Sequence, residues 1–231
     1  KIKPKSKIYL VPNRVADPKG EIEAVENLRK TLLLDRNYKV LLRISRVNRY
    51  YDRTFNQTFR LFKRLNKSEN YYLLFIGDVQ DEKYLSELKE RFGFSHRIFF
   101  VTDEFYTLNA SRLLPLADVV VGTGRGLMEA TYFNKRVFCP TANGDLPVEL
   151  NKTTFYSLWC NNFSERSEFV GTIHTEVDSN CVDTRYFYRK YFSIRNKTDF
   201  YRNLYKKLNA DRKLSVFSFF YHIIHFYKPR F

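Results

Sequence analysis

Glycine is scarce in this chain, with eight in 231 residues. Three of the eight, Gly122, Gly124 and Gly126, fall within five positions. A chain so poor in glycine keeps it where the backbone must bend or approach a ligand closely. Cysteine is scarcer still. Cys139, Cys160 and Cys181 are too few and too far apart for a disulfide framework or a zinc knuckle, and they suit a reducing, cytoplasmic compartment. No apolar run approaches the ~20 residues of a membrane span, and no secretory signal is evident. The four histidines, His96, His174, His222 and His225, show neither metal-ligand nor triad spacing. Acidic residues are outnumbered, 25 against 40 Lys and Arg, for a net charge of +15. That excess points to a polyanionic partner (nucleic acid, an anionic membrane or a phosphorylated substrate) or to a plainly solvated surface. A hydrophobic fraction of 44% excludes a disordered chain and supports a substantial core.

Strand-like and helix-like segments alternate between residues 38 and 140. Runs at 39–45, 71–76, 97–101, 117–121 and 136–140 read as short apolar strands. Between them, 54–65 carries Phe55, Phe59, Phe62 and Leu65 at helical spacing, and 81–92 carries Tyr84, Leu85, Leu88 and Phe92. Residues 108–116 and 124–133 read as further helices. This alternation predicts an α/β fold, a Rossmann-like doubly wound parallel sheet covered on both faces. Outside that core, 8–12 reads as a short strand, 21–34 as a helix, 156–160 as a sixth strand and 199–208 as a helix. The expected divisions are 1–37 as a linker with a leading strand and helix, 38–208 as the nucleotide-binding domain, and 209–231 as a C-terminal helical extension. In that extension aromatic residues are interleaved with Lys213, His222, His225, Lys228 and Arg230. It reads as a helix lying in a membrane interface or packed on a neighbouring domain.

Parallel sheets bind ligands beyond the carboxyl ends of their strands. Four such ends, Ser45-Arg46, Gly77-Asp78, Thr102-Asp103 and Gly122-Thr123-Gly124, are expected to meet around one cleft. The last opens a helix, whose N–H groups and partial positive charge favour an anion. Arg125 adds charge beside it, and Glu129 follows as an acceptor for sugar hydroxyls. Each assignment has a plain rival. Arg46 and Arg53 read alternatively as solvated charges, Glu129 as a partner within its own helix, and the glycines as packing devices.

The motifs resemble the C-terminal, donor-binding half of GT-B glycosyltransferases, in particular the retaining family-four type, over about residues 8–145. Val11-Pro12-Asn13-Arg14-Val15 resembles the family's interdomain segment. Leu42-Arg43-Ile44-Ser45-Arg46 resembles the strand that ends in a pyrophosphate-gripping arginine. Ala117-Asp118-Val119-Val120-Val121, Gly122 to Ala130 and Asn134-Lys135-Arg136-Val137 follow in the family's order. The resemblance implies nucleotide-sugar binding by Arg46, Arg53, Thr102, Gly122, Thr123, Gly124, Arg125, Gly126 and Glu129, with Glu129 also the candidate catalytic residue. It implies a hexosyltransferase with a nucleotide-sugar donor such as a UDP- or GDP-sugar, and no metal or other cofactor. No Asp-x-Asp motif, the metal-holding pair of the other common glycosyltransferase fold, is present.

Two departures stand out. Val121 occupies the position of the family's first motif glutamate, eight residues before Glu129, and Arg53 stands in for a lysine. A polysaccharide, lipopolysaccharide or glycolipid is the expected acceptor, bound mainly by an N-terminal domain absent from this sequence. The expected location is the cytoplasm, with peripheral contact at the inner membrane face through 212–231. A catalytically silent binding module is the alternative. A nucleic-acid partner is not expected, because no motif of that kind appears. An epimerase reading is weaker, because the acid-rich motifs of those enzymes are not evident.

Overall fold

A computed structural model describes residues 13–92, 95–166, 168–169, 183–196 and 201–207. Two compact units divide the chain, Lys1–Ile194 and Arg195–Phe231. In the second, residues 201–207 are helical, within the helix expected at 199–208. The expected strand at 8–12 and the basic aromatic extension lie outside the described residues.

The first unit is built on strands β1 (Lys39–Ile44), β2 (Tyr71–Ile76), β3 (Ile98–Val101), β4 (Val119–Val121), β5 (Arg136–Cys139) and β6 (Val148–Glu149). Their order is β3-β2-β1-β4-β5-β6. The first five run parallel, in register from Lys39↔Tyr71 to Ile44↔Ile76 for the longest pair. β6 pairs antiparallel at the edge. Every residue of β2 is buried, as expected of a central parallel strand covered on both faces.

Strand alternation divides the core into two layers. On one face Leu41, Leu73, Phe75, Val119 and Val121 pack beneath α2 (Asp52–Leu65) and α3 (Glu82–Phe92), through Phe55, Leu61, Phe62, Tyr84 and Leu88. On the other, Val40, Leu42, Leu74, Ile76 and Val120 meet α1 (Ile22–Thr31) and the later helices. Of the periodic face expected on α2, Phe55, Phe62 and Leu65 are buried and Phe59 is partly so.

Two local expectations are corrected. The helix expected at 108–116 is a 3-10 segment, Ala110–Leu116, preceded by a separate one-turn helix α4 (Glu104–Thr107). Asn109 between them is left-handed at φ 58, and Pro115 within the 3-10 segment has no N–H for a helical ladder. The sixth strand expected at 156–160 is instead helix α6 (Phe155–Cys160). The Asn151 carboxamide oxygen accepts from the Thr153 and Thr154 N–H groups at 2.9 Å each, which turns the chain into a helical start. Phe155 and Leu158, three apart, then fill one buried face. α5 (Gly124–Tyr132) ends with Asn134 at φ 55, where a glycine or asparagine commonly closes a helix.

Candidate functional site

β1 leads on to β2 on one side and β4 to β5 on the other, so their connections leave the paired strands in opposite directions along the sheet. In an open parallel sheet this switch point is where ligands bind. A pocket of about 140 Å³ lies there. Arg43 to Arg46 form one wall, and Val121, Gly122 and Thr123 the opposite one, with Tyr51 and Glu165 closing it. Its volume falls below the roughly 300–1,000 Å³ that encloses a drug-sized ligand. It suits a phosphate or diphosphate rather than a whole nucleotide.

Arg43 dominates the electrostatics. It is 4% exposed and extends from β1 under α2. There Nη1 donates to the Thr54 carbonyl and to Thr58 Oγ1 at 2.9 Å each, Nη2 to Thr54 Oγ1 at 2.6 Å, and Nε to Ser45 Oγ at 3.1 Å. Its guanidinium lies 4.9 Å from the Phe55 ring centre. None of these partners carries a full negative charge. Burial lowers its pKa to about 10, against an opposing influence from nearby Tyr84 and Glu165. The group is therefore still charged at neutral pH, and among the described residues no carboxylate contacts it directly. A pocket beside such a charge attracts anions.

Arg46 lies at the pocket wall, exposed and without a hydrogen-bond or ion-pair partner among the described residues. Gly122 and Thr123 join it across the pocket. The glycine turn is tightly built. A Cβ on Gly122 would stand 3.1 Å from the Leu127 nitrogen, whereas one on Gly126 would meet nothing within 4 Å. Gly124 holds φ +46, a left-handed conformation, and its N–H donates to the Phe163 carbonyl at 3.0 Å. That amide already has a partner within the chain.

The remaining candidates stand outside the pocket lining. Arg53 is exposed and donates to the Glu165 carbonyl at 2.5 Å. Glu129 is 5% exposed and accepts from Arg125 Nε at 2.7 Å, while the Arg125 side chain is 79% exposed. Thr102 lies exposed at the end of β3, two strands from β1 and so roughly 10 Å along the sheet. Gly77 does not line the pocket either. It shapes it from behind, because a Cβ there would collide with the Ser45 carbonyl oxygen. Of the four strand ends expected around one cleft, those of β1 and β4 line the pocket and the other two do not.

Arg43, Tyr51 and Glu165 also line the pocket and were not among the expected site residues. A charged residue inside an apolar strand that is covered on both faces was a readable signal for Arg43. Glu165 follows α6 in a segment without periodicity, and nothing in its neighbourhood of sequence marks it. Among the described residues no group of three or more His, Cys, Asp or Glu could hold a metal ion, and no helix is long and apolar enough to cross a membrane.

No protein-family model matches the chain, and no curated protein matches it significantly. Solved structures do. A glycosyltransferase from Rickettsia africae aligns with a TM-score of 0.50 at 15% identity, over 86% of this chain and 58% of that one. Anabaena HepE, solved with UDP-glucose, aligns with a TM-score of 0.38 at 21% identity, over 52% and 34%. The UDP-GlcNAc 2-epimerase from Neisseria meningitidis, bound to UDP-GlcNAc, gives 0.39 at 13%, over 54% and 35%. This chain therefore spans about a third of the length of the latter two proteins. At these identities the likeness speaks to fold alone: the chain is a Rossmann-like α/β domain, similar in fold to part of the Rickettsia africae glycosyltransferase.

Proposed function

We propose that the chain is the nucleotide-sugar-binding half of a GT-B glycosyltransferase. In this reading the whole enzyme moves a hexose from a UDP- or GDP-sugar to a polysaccharide, lipopolysaccharide or glycolipid acceptor, with retention of configuration. The supporting observation is the switch-point pocket that joins the buried charge of Arg43, which has no direct carboxylate contact among the described residues, to the Arg46 guanidinium, which has no hydrogen-bond or ion-pair partner among them. Breaking a glycosidic bond to a nucleoside diphosphate develops charge on the leaving phosphates, and cations fixed in advance stabilise it. Arg46 supplies the exposed, bidentate donor. Arg43 supplies a fixed positive field, and the amino end of α5 adds its partial charge. The pocket holds the diphosphate, while the nucleoside extends along the strand ends toward Thr102. Following the resemblance, Glu129 takes the donor ribose. The acceptor and the chemical step belong mainly to a second domain, and 212–231 is assigned to peripheral membrane contact.

Calorimetric titration with UDP, GDP and their sugar conjugates tests this reading, with Arg46→Ala and Glu129→Ala alongside. Micromolar to millimolar binding of one nucleotide is expected, weakened by about tenfold or more in each variant. Equal binding by wild type and Arg46→Ala would refute it. A catalytically silent module is the second reading. It is favoured by Val121, which is fully buried where the resembling family carries an acid. Sugar transfer by the longer protein would exclude it.

A further inference from the structure

Residues 162–166 bring Glu165 into the lining of the pocket. They do so through two consecutive left-handed residues, Asn162 at φ 51 and Phe163 at φ 54. A bulky residue rarely adopts that conformation. It persists only where surrounding contacts enforce it, and such sites recur in ligand clamps and switches. Phe163 is the anchor. Its ring is fully buried, 5.2 Å from that of Phe192 and edge-on to it, and its carbonyl accepts the Gly124 N–H.

A second fixed point follows at buried Phe169, whose N–H donates to the Asn143 carboxamide oxygen and whose carbonyl accepts from its nitrogen, at 2.9 Å each. Between the two, the contacts that 164–166 make with the rest of the protein are light and exposed. Arg53 donates to the Glu165 carbonyl, and the Arg166 guanidinium lies 5.1 Å from the ring centre of exposed Tyr50. Between these two holds, the Glu165 carboxylate is near enough to Arg43 to favour its charged form. It makes no direct ion pair with Arg43 or Arg46 among the described residues. Two donors expected to face a phosphate, the Gly124 N–H and the Arg53 guanidinium, are thus engaged by carbonyls of this one segment. Among the described residues, the one carboxylate in the lining belongs to it as well.

We propose that residues 164–166 are a self-closing latch, hinged at Phe163, in which Glu165 acts as the resident anion that an incoming diphosphate must displace. Displacement also frees Arg53, which then turns from the Glu165 carbonyl to the ligand. The latch keeps a strongly basic pocket closed to stray small anions and opens it to a ligand with enough charge to replace Glu165. The inference rests on the pocket being a diphosphate site.

Inorganic pyrophosphate and UDP are titrated calorimetrically into the 231-residue chain as wild type, Glu165→Gln, Tyr50→Ala and Glu168→Gln. Removing a like charge from the pocket is expected to tighten pyrophosphate binding by about tenfold in Glu165→Gln. Tyr50→Ala, which frees Arg166 without touching the lining, is expected to tighten it by a smaller factor. Glu168→Gln makes the same charge change at an exposed residue outside the lining and leaves affinity unchanged. If wild type binds and Glu165→Gln binds no tighter, or if Glu168→Gln gains as much, the latch is overturned while the diphosphate reading stands. If none of the four binds either ligand, both fall together.

Discussion

Arg43 is held indoors at a cost to folding. Burial lowers its pKa to about 10, which disfavours the charged form by roughly 3 kcal/mol. The sign follows from the direction of the shift. The penalty is fully present below about pH 10 and is relieved as pH rises through that value toward the ordinary arginine range, where the unfolded chain also loses its proton. The two threonines that receive Arg43 have other bonds, Thr54 Oγ1 to the Tyr51 carbonyl and Thr58 Oγ1 to the Thr54 carbonyl, both 2.8 Å. Replacing the arginine with an apolar side chain of similar length therefore strands little. Arg43→Met is expected to shift unfolding free energy in urea by no more than about 1 kcal/mol, while pyrophosphate binding drops at least about tenfold. A loss of stability near 3 kcal/mol or more, with binding intact, would make Arg43 a purely structural residue.

Among the elements, those with strong periodicity were legible in the sequence. The apolar alternation from residue 38 to 140 located β1 to β5, and the spacing of Tyr84, Leu85, Leu88 and Phe92 located α3. The sequence did not reveal α6, because its run of Phe155, Tyr156, Leu158 and Trp159 has the aromatic composition of a strand. What decides is the turn before it, where Asn151 receives two backbone N–H groups and the Thr153 hydroxyl. Removing that acceptor in Asn151→Ala is expected to cost about 1 kcal/mol, as for loss of a helix cap. The change reads as a lower midpoint of urea unfolding with an unchanged slope. No change would mean that burial of Phe155 and Leu158 sets the helix unaided. The antiparallel edge strand β6 escaped notice because two residues carry no period.

For the molecule as a whole, the α/β class and its site-bearing edge followed from the chain's alternation, since every parallel strand delivers its carboxyl end to the same side. Which ends share a pocket was not legible, because that depends on strand order. The order β3-β2-β1-β4-β5-β6 sets β1 beside β4, so Arg46 and Thr123 face one another while Thr102 lies two strands away. Contacts distant in sequence, such as Arg53 with Glu165 across 112 positions, carry no local pattern at all. If the switch-point pocket receives a diphosphate, a crystal structure of the chain with UDP will show the phosphates between β1 and β4. An Arg46 guanidinium nitrogen is then expected about 2.7–3.2 Å from a phosphate oxygen, with Glu165 swung out of the pocket. Phosphates bound elsewhere on the surface, with Glu165 still in place, would contradict that reading.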